Sequence, residues 1–343
     1  DPMLLWDGAI ARLSRFEQGF VSPDYRVYRP NQKMDHDFLD FLLEGQHMRQ
    51  EYKDNARGTN KRRNRISRAD FLRISFPAPP LAEQRRIAGI LASVDDAIGA
   101  TEAAIEQAYR VKDGLLQNLL SRGIGHARFK QTEIGEIPAS WEVSKVANLL
   151  DGIVAGKSPT ATDEPAAGKD WGVLKVSAVG HGQFLPAENK TLPSSFIIRD
   201  EHKVRAGDVL ITRANTATLV GACCRVPDGD YQLMLCDKTL RLKPDPRAVE
   251  ANFLCQVLGS PRTRRYFAQV ATGSSASMKN LSQKKILALP IALPPLGEQE
   301  AIAERLRLAD KNVQQGRLAL DALMRTRSGL LHDLLSGNVR VSL

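Results

Sequence analysis

A block of sequence occurs twice in this 343-residue chain, 215 positions apart and without a gap. Pro79-Pro80-Leu81-Ala82-Glu83-Gln84 returns as Pro294-Pro295-Leu296-Gly297-Glu298-Gln299, and Gly114-Leu115-Leu116 through Leu119-Leu120-Ser121 returns as Gly329-Leu330-Leu331 through Leu334-Leu335-Ser336. Between Pro79–Ser121 and Pro294–Ser336, 17 of 43 positions are identical. A duplicated module of this length restricts the chain to folds in which each element has a counterpart, and predicts one task performed at two places. The register extends upstream, with Phe38-Leu39 on Phe253-Leu254, Tyr52 on Phe267, Gly58 on Gly273 and Ile66-Ser67 on Leu281-Ser282. The repeated unit is therefore a domain followed by a helix.

At the same offset Asp1 falls on Thr216, whereas the second copy starts near Thr132. The first copy is thus expected to lack roughly 80 residues at its start, and the sequence reads as N-terminally incomplete, with neither an initiator Met nor a signal peptide. The length suits two domains, and 43% apolar with 25% charged residues is ordinary for a globular protein. No run of about 18 apolar residues occurs, which argues against a membrane helix. Cys223, Cys224, Cys236 and Cys255 lack CxxC spacing and have no counterparts in the first copy, so free thiols are expected rather than zinc or disulfides.

The net charge of +9 is concentrated. The window from Arg49 to Arg73 carries +6, and its equivalent, 264 to 288, carries +5 from Arg264, Arg265, Lys279, Lys284 and Lys285 with no acid. Recurrence at equivalent positions points to a polyanion, because each cation placed on a phosphate releases condensed counterions. A solvated loop is the plain alternative for either run alone.

Helices should follow both windows. Ile87, Leu91, Val94, Ile98, Thr101, Ile105, Ala108, Lys112, Leu115 and Leu119 advance by alternating steps of four and three, and Ile302, Leu306, Ala309, Val313, Gly316, Leu320, Leu323, Arg327, Leu330 and Leu334 repeat the pattern. These are heptad seams, each needing a partner, and the simplest partner is the other seam. At 1.5 Å per residue they predict rods of roughly 60 Å. Pro-Pro pairs stiffen the entries, Glu83 and Glu298 suit the first-turn dipole, and Gly123 and Gly337 follow the ends. In the second copy Trp171–Ser177, Asp208–Arg213 and Lys238–Leu242 read as short strands, and 250–258 and 262–270 as helices, giving a mixed α/β domain.

No catalytic constellation stands out. The glutamates of the paired Glu-Gln motifs sit at helix starts, where dipole compensation or docking accounts for them better than acid–base chemistry. The six histidines show neither HxxxH nor HxH spacing. A loose nuclease-like pattern, Pro23-Asp24 with Glu51-Tyr52-Lys53, loses its acid and its Lys in the second copy, where Tyr266, Phe267 and Ala268 stand. No glycine-rich cofactor loop or P-loop occurs, so no cofactor and no metal is expected.

The segments Thr132–Trp141 (TEIGEIPASW), Gly207–Ile211 (GDVLI), Lys279–Ser282 (KNLS), Leu293–Gln299 (LPPLGEQ) and Leu330–Gly337 (LLHDLLSG) resemble those of the specificity (S) subunit of type I restriction-modification enzymes. The resemblance spans essentially the entire chain. It implies an α+β protein with two mixed α/β target-recognition domains, the first partial, joined by two long antiparallel coiled-coil helices. The corresponding division is 1–79 and 132–293 for the recognition domains, 80–122 and 294–337 for the long helices, and 123–131 for a linker. It further implies a non-catalytic cytoplasmic subunit whose domains each read half of a bipartite site in double-stranded DNA. The helices would set the spacing and dock methyltransferase (modification) subunits, which an endonuclease/translocase (restriction) subunit then joins.

Candidate DNA contacts are Lys157 and Ser158 in the loop Gly156–Thr160, Arg213 and Asn215 beyond an apolar strand, Lys279 and Asn280, and, at the position equivalent to that last pair, Lys61, Arg62, Arg63 and Arg65 with nearby Arg57. An ordinary surface turn remains the alternative for the Gly156 loop, and solvent exposure for Arg213 and Asn215. Phosphate contacts are favoured over base contacts at 279–280 and 61–65. Candidate helix or partner contacts are Leu81, Gln84, Ile87, Leu91 and Ile98 in the first helix and Leu296, Gln299, Ile302, Leu306, Leu320 and Leu334 in the second. Two other readings stay open: the recognition end of a fused restriction and methylation enzyme, and a coiled-coil scaffold with incidental basic loops.

Overall fold

The computed structural model of the chain describes residues 2–3, 26–28, 30–55, 66–273 and 278–341. Its helices are α1 (His36–Glu44), α2 (Gln46–Asn55), α3 (Arg68–Arg73), α4 (Leu81–Arg122), α5 (Ala251–Gly259), α6 (Pro261–Val270), α7 (Gln283–Leu287) and α8 (Leu296–Ser336). The chain forms two compact units, one of residues 1–107 with 313–343 and the other of 108–312. The boundary runs through both long helices, so the helices are shared between the units rather than forming a separate body. No described helix is long and apolar enough to cross a membrane.

Both long helices start in the same way. The amides of Glu83 and Gln84 bond to the carbonyl of Pro80 at 2.9 and 3.0 Å, and those of Glu298 and Gln299 bond to Pro295 at 2.9 and 3.0 Å. Proline fixes the entering backbone and lacks an N–H that the first turn could not have satisfied. Each helix ends at a glycine in the left-handed region, Gly123 at φ 64° and Gly337 at φ 75°, the usual C-terminal stop.

In the first unit α1 is capped by Asp35, whose carboxylate accepts from the amides of Asp37 and Phe38. Phe38, Leu42, Leu43, Met48 and Tyr52 form the core with Ile87, Ala88 and Leu91 near the start of α4 and Leu334 and Leu335 near the end of α8. Gln84 ties these layers together: Oε1 accepts from the Asp35 amide at 2.8 Å, and Nε2 donates to the carbonyls of Lys33 and Pro79 at 3.1 and 2.8 Å.

The second unit repeats that scheme. Gln299 Oε1 accepts from the Glu250 amide at 2.8 Å, and Nε2 donates to Ala248 and Pro294 at 3.2 and 2.9 Å. These partners lie 215 positions beyond those of Gln84. The core of this unit is an antiparallel sheet in the order Cys223–Arg225, Val209–Thr212, Thr239–Pro244, Leu150–Ala155. Successive strand residues face opposite ways. Val209, Ile211, Leu240 and Leu242 therefore pack with Trp141, Phe253, Phe267 and the helix residues Leu116, Leu119, Ile302 and Leu306. Leu210 and Cys224 line a separate core with Val204, Val226 and Leu235. Covering both faces accounts for the nearly unbroken apolar runs in these strands. All four cysteines are free and buried.

The polar interruptions of the two seams have a structural reason. In the first unit Arg327 of α8 forks onto Asp95 of α4, with Nη2 to Oδ2 at 3.1 Å, and reaches Glu44 at 3.2 Å. In the second unit Lys112 of α4 pairs with Asp310 of α8. Asp95 and Asp310 are repeat equivalents, as are Lys112 and Arg327. The small residue at 316 marks a close approach, since a Cβ there would stand 2.8 Å from Ile105 Cγ1.

Replacing Gln84 or Gln299 with Ala should strand buried backbone donors and acceptors and cost about 1–3 kcal/mol in each case; denaturant titration checks this, and a stability equal to the parent's would contradict it. Asp95→Ala with Arg327→Ala in a double-mutant cycle should return a coupling of about 0.5–1 kcal/mol, modest because both side chains are partly exposed. Asp95→Arg combined with Arg327→Asp should recover most of what Asp95→Arg alone loses.

Candidate nucleic-acid interface

Strand register brings sequence-distant candidates to one end of the four-stranded sheet. Ala155 pairs with Leu240, and Thr239 with Thr212. The residues just beyond those strands, 156–158, 213–215 and 236–238, therefore emerge together. The Arg213 amide bonds to the Lys238 carbonyl at 2.8 Å and the Lys157 amide to Leu235 at 3.1 Å. Gly156 permits this approach, because a Cβ there would collide with the backbone of Leu235 and Cys236.

The chain then adds a second pairing at the same end. Ala214–Asn215 runs antiparallel to Lys279–Asn280, with Asn215 opposite Lys279. The Leu281 amide bonds to the Arg213 carbonyl at 2.7 Å, and Lys279 Nζ donates to the Gly273 carbonyl at 2.6 Å. Gly273 holds φ at 126°, in a region where a side chain would be strained. Four of the sequence candidates, Arg213, Asn215, Lys279 and Asn280, thus form one patch adjoining Lys157 and Ser158.

Beside the Gly156 loop lies a concavity of about 430 Å³ lined by Ser158, Lys175, Lys190, Asp237 and Lys238, among others. Lys190 pairs with Asp163 at 2.5 Å. That hydrogen bond, and then the charges of Lys190 and Lys175, hold the Asp163 carboxyl below the usual range. Elsewhere in the domain, the half-buried His181 has Nε2 3.1 Å from the Thr218 carbonyl. Burial pushes its pKa down, and the nearby charge of Arg264 adds to the effect. The surface is thus cationic, with preset hydrogen-bonding groups, suited to a polyanion carrying base edges.

The sequence candidates fare unequally. Lys157, Ser158 and Asn280 are exposed, and Arg213 and Lys279 half-buried. Asn215 is only 8% exposed and its Nδ2 has no partner, which corrects the expectation that it projects freely from a strand end. Arg57, Lys61, Arg62, Arg63 and Arg65 lie outside the described residues. Along the helices Ile87, Leu91, Ile302, Leu306 and Leu334 are buried, and Leu81, Ile98, Leu296 and Leu320 half-buried. Gln84 and Gln299 are each 1% exposed. Their amides are taken up inside the chain, so they join helix to domain rather than face a partner.

Glu83 and Glu298 are latches. Glu83 is gripped by Arg340 at 2.7 and 2.6 Å, whose guanidinium holds the carboxyl below its usual range. Glu298 accepts from the Ile124 amide at 2.9 Å and Trp141 Nε1 at 2.9 Å, and lies 2.8 Å from His126 Nε2. Sequence reasoning missed Lys175, Lys190 and Asp237. Lys175 and Lys190 sit in separate short strands or their flanks, and only tertiary pairing brings them to Ser158.

The model of the type I restriction modification DNA specificity domain family matches residues 5–108. A specificity subunit of the type I restriction enzyme MjaVIII from Methanocaldococcus jannaschii is 28% identical, over 99% of this chain and 79% of its own length. The type I restriction enzyme EcoEI specificity subunit of Escherichia coli is 32% identical over 58% of this chain, a match that spans only 34% of that relative. The crystal structure of a type I restriction-modification S subunit from M. genitalium shares the fold with a TM-score of 0.55 at 15% identity, covering 88% of this chain and 73% of that one. With its duplicated Pro-Pro-Leu-x-Glu-Gln helix starts and matching fold, the chain is similar over nearly its whole length to type I restriction-modification specificity subunits.

Proposed function

We propose that the chain is the DNA-reading subunit of a type I restriction-modification complex. Each unit reads one half of a bipartite duplex target, and the antiparallel coiled coil of α4 and α8 sets the permitted spacing and docks the modification subunits. A restriction subunit completes the assembly. Catalysis lies with those partners, and the subunit works in the cytoplasm, where the DNA is. The observation that carries this reading is the gathering of Lys157, Ser158, Arg213, Asn215, Lys279 and Asn280 at one sheet end in a domain whose framework occurs twice. A reader of two half-sites needs one recognition surface per unit, and a repeated framework supplies that arrangement.

In cells carrying the modification subunits, adding this chain should add methylation at a single bipartite motif; long-read sequencing detects it, and stable co-expression without any motif would favour a scaffold instead. Lys157→Ala with Lys279→Ala should weaken binding to every duplex alike and flatten the plot of log affinity against log salt by about one unit for each phosphate left without its cation. An unchanged slope would remove both residues from the interface.

A further inference from the structure

A carboxylate stands where the surface otherwise offers cations. Asp237 is exposed and shares the concavity beside the Gly156 loop with Lys175, Lys190 and Lys238. Lys190 is engaged by Asp163, so it does not neutralise Asp237. Ser158 Oγ donates to Asp237 Oδ1, and the Asp237 amide donates back to Ser158 Oγ at 3.2 Å. The carboxylate is thereby held in place, and among the described residues its Oδ2 accepts no hydrogen bond. A surface that bound phosphates alone would lose affinity to such a group, because fixed negative charge repels the backbone it must approach.

An oriented acceptor within a cationic rim suits a base edge. In the major groove guanine presents two acceptors and thymine an acceptor with a methyl group, so both repel a carboxylate or leave it unpaired. Adenine offers N6 but places the N7 acceptor beside it. Cytosine presents its N4 amino group without an adjacent acceptor on the same base. Resting on the reading that this unit binds DNA, we propose that Asp237, positioned by Ser158, is a specificity-determining residue that accepts a hydrogen bond from a cytosine N4 amino group in the half-site read by the second unit. Lys175 and Lys238 then hold the phosphates that flank this base.

Asp237 also sits within a turn closed by the Thr239 amide on the Cys236 carbonyl at 3.1 Å. A purely fastening role is therefore the competing explanation, and the variants are chosen to separate the two. The parent chain, Asp237→Ala, Asp237→Asn, Ser158→Ala and Lys175→Ala with Lys238→Ala are each co-expressed with the modification subunits, and methylated motifs are read by sequencing. Asp237→Ala should relax one cytosine position roughly ten- to hundredfold and leave the other positions intact. Asp237→Asn keeps the bond from Ser158 but presents a donor, and should shift that position away from cytosine towards a base carrying an acceptor. Ser158→Ala retains the carboxylate and should keep the cytosine preference. The double lysine variant should lower methylation at every site without changing the motif. Cytosine retained at every position in both Asp237 variants overturns the assignment, as does a uniform loss shared by Asp237→Ala and Ser158→Ala. If the parent itself yields no motif, the underlying reading falls and this one with it.

Discussion

A buried glutamine amide at the start of each long helix joins the helix to its domain. Gln84 and Gln299 each use one acceptor and two donors to satisfy three backbone groups of two different segments. Hydrogen bonds made where water is excluded are costly to lose, since the abandoned backbone groups have no substitute partner. The domain helix, the Pro-Pro entry and the long helix are thereby held at a fixed angle. The candidate surface of the second unit inherits its position from that joint. The neighbouring glutamates reinforce it with different chemistry in each copy, Arg340 in one and Trp141 with His126 in the other.

Elements governed by short-range spacing were the ones legible in the sequence. The steps of four and three predicted α4 and α8, and the Pro-Pro-Leu-x-Glu-Gln pairs placed their starts within two residues. The strands 209–212 and 239–244 showed as apolar runs because both of their faces are covered. Asp95 and Asp310 escaped notice because they flank the seam rather than occupy it, and their partners lie on the other helix. The seam cations looked like defects until the tertiary pairing supplied their acids.

The candidate interface was half legible. Lys157-Ser158 stood out by the resemblance of their loop, Arg213 by its place after an apolar strand and Lys279-Asn280 by their repeat equivalence with the 61–65 run, and antiparallel register brings them together. Lys175, Lys190 and Asp237 carry no local mark, because each sits near the edge of a short element with unremarkable neighbours. Asn215 illustrates the opposite limit: its residue type and position suggested a free reader, yet backbone pairing with Lys279 draws it inside.

The charge pattern of the long helices has a consequence for how a duplicated chain can arise. Asp95 and Lys112 lie on one helix, Asp310 and Arg327 on the other, each acid 17 positions ahead of its cation. A helix bearing that pattern is complementary to an antiparallel copy of itself, as a palindrome is to its own reverse. The pairing rule demands no difference between the two copies. Tandem fusion of two such modules would thus have joined surfaces that already fitted, leaving the recognition loops free to diverge.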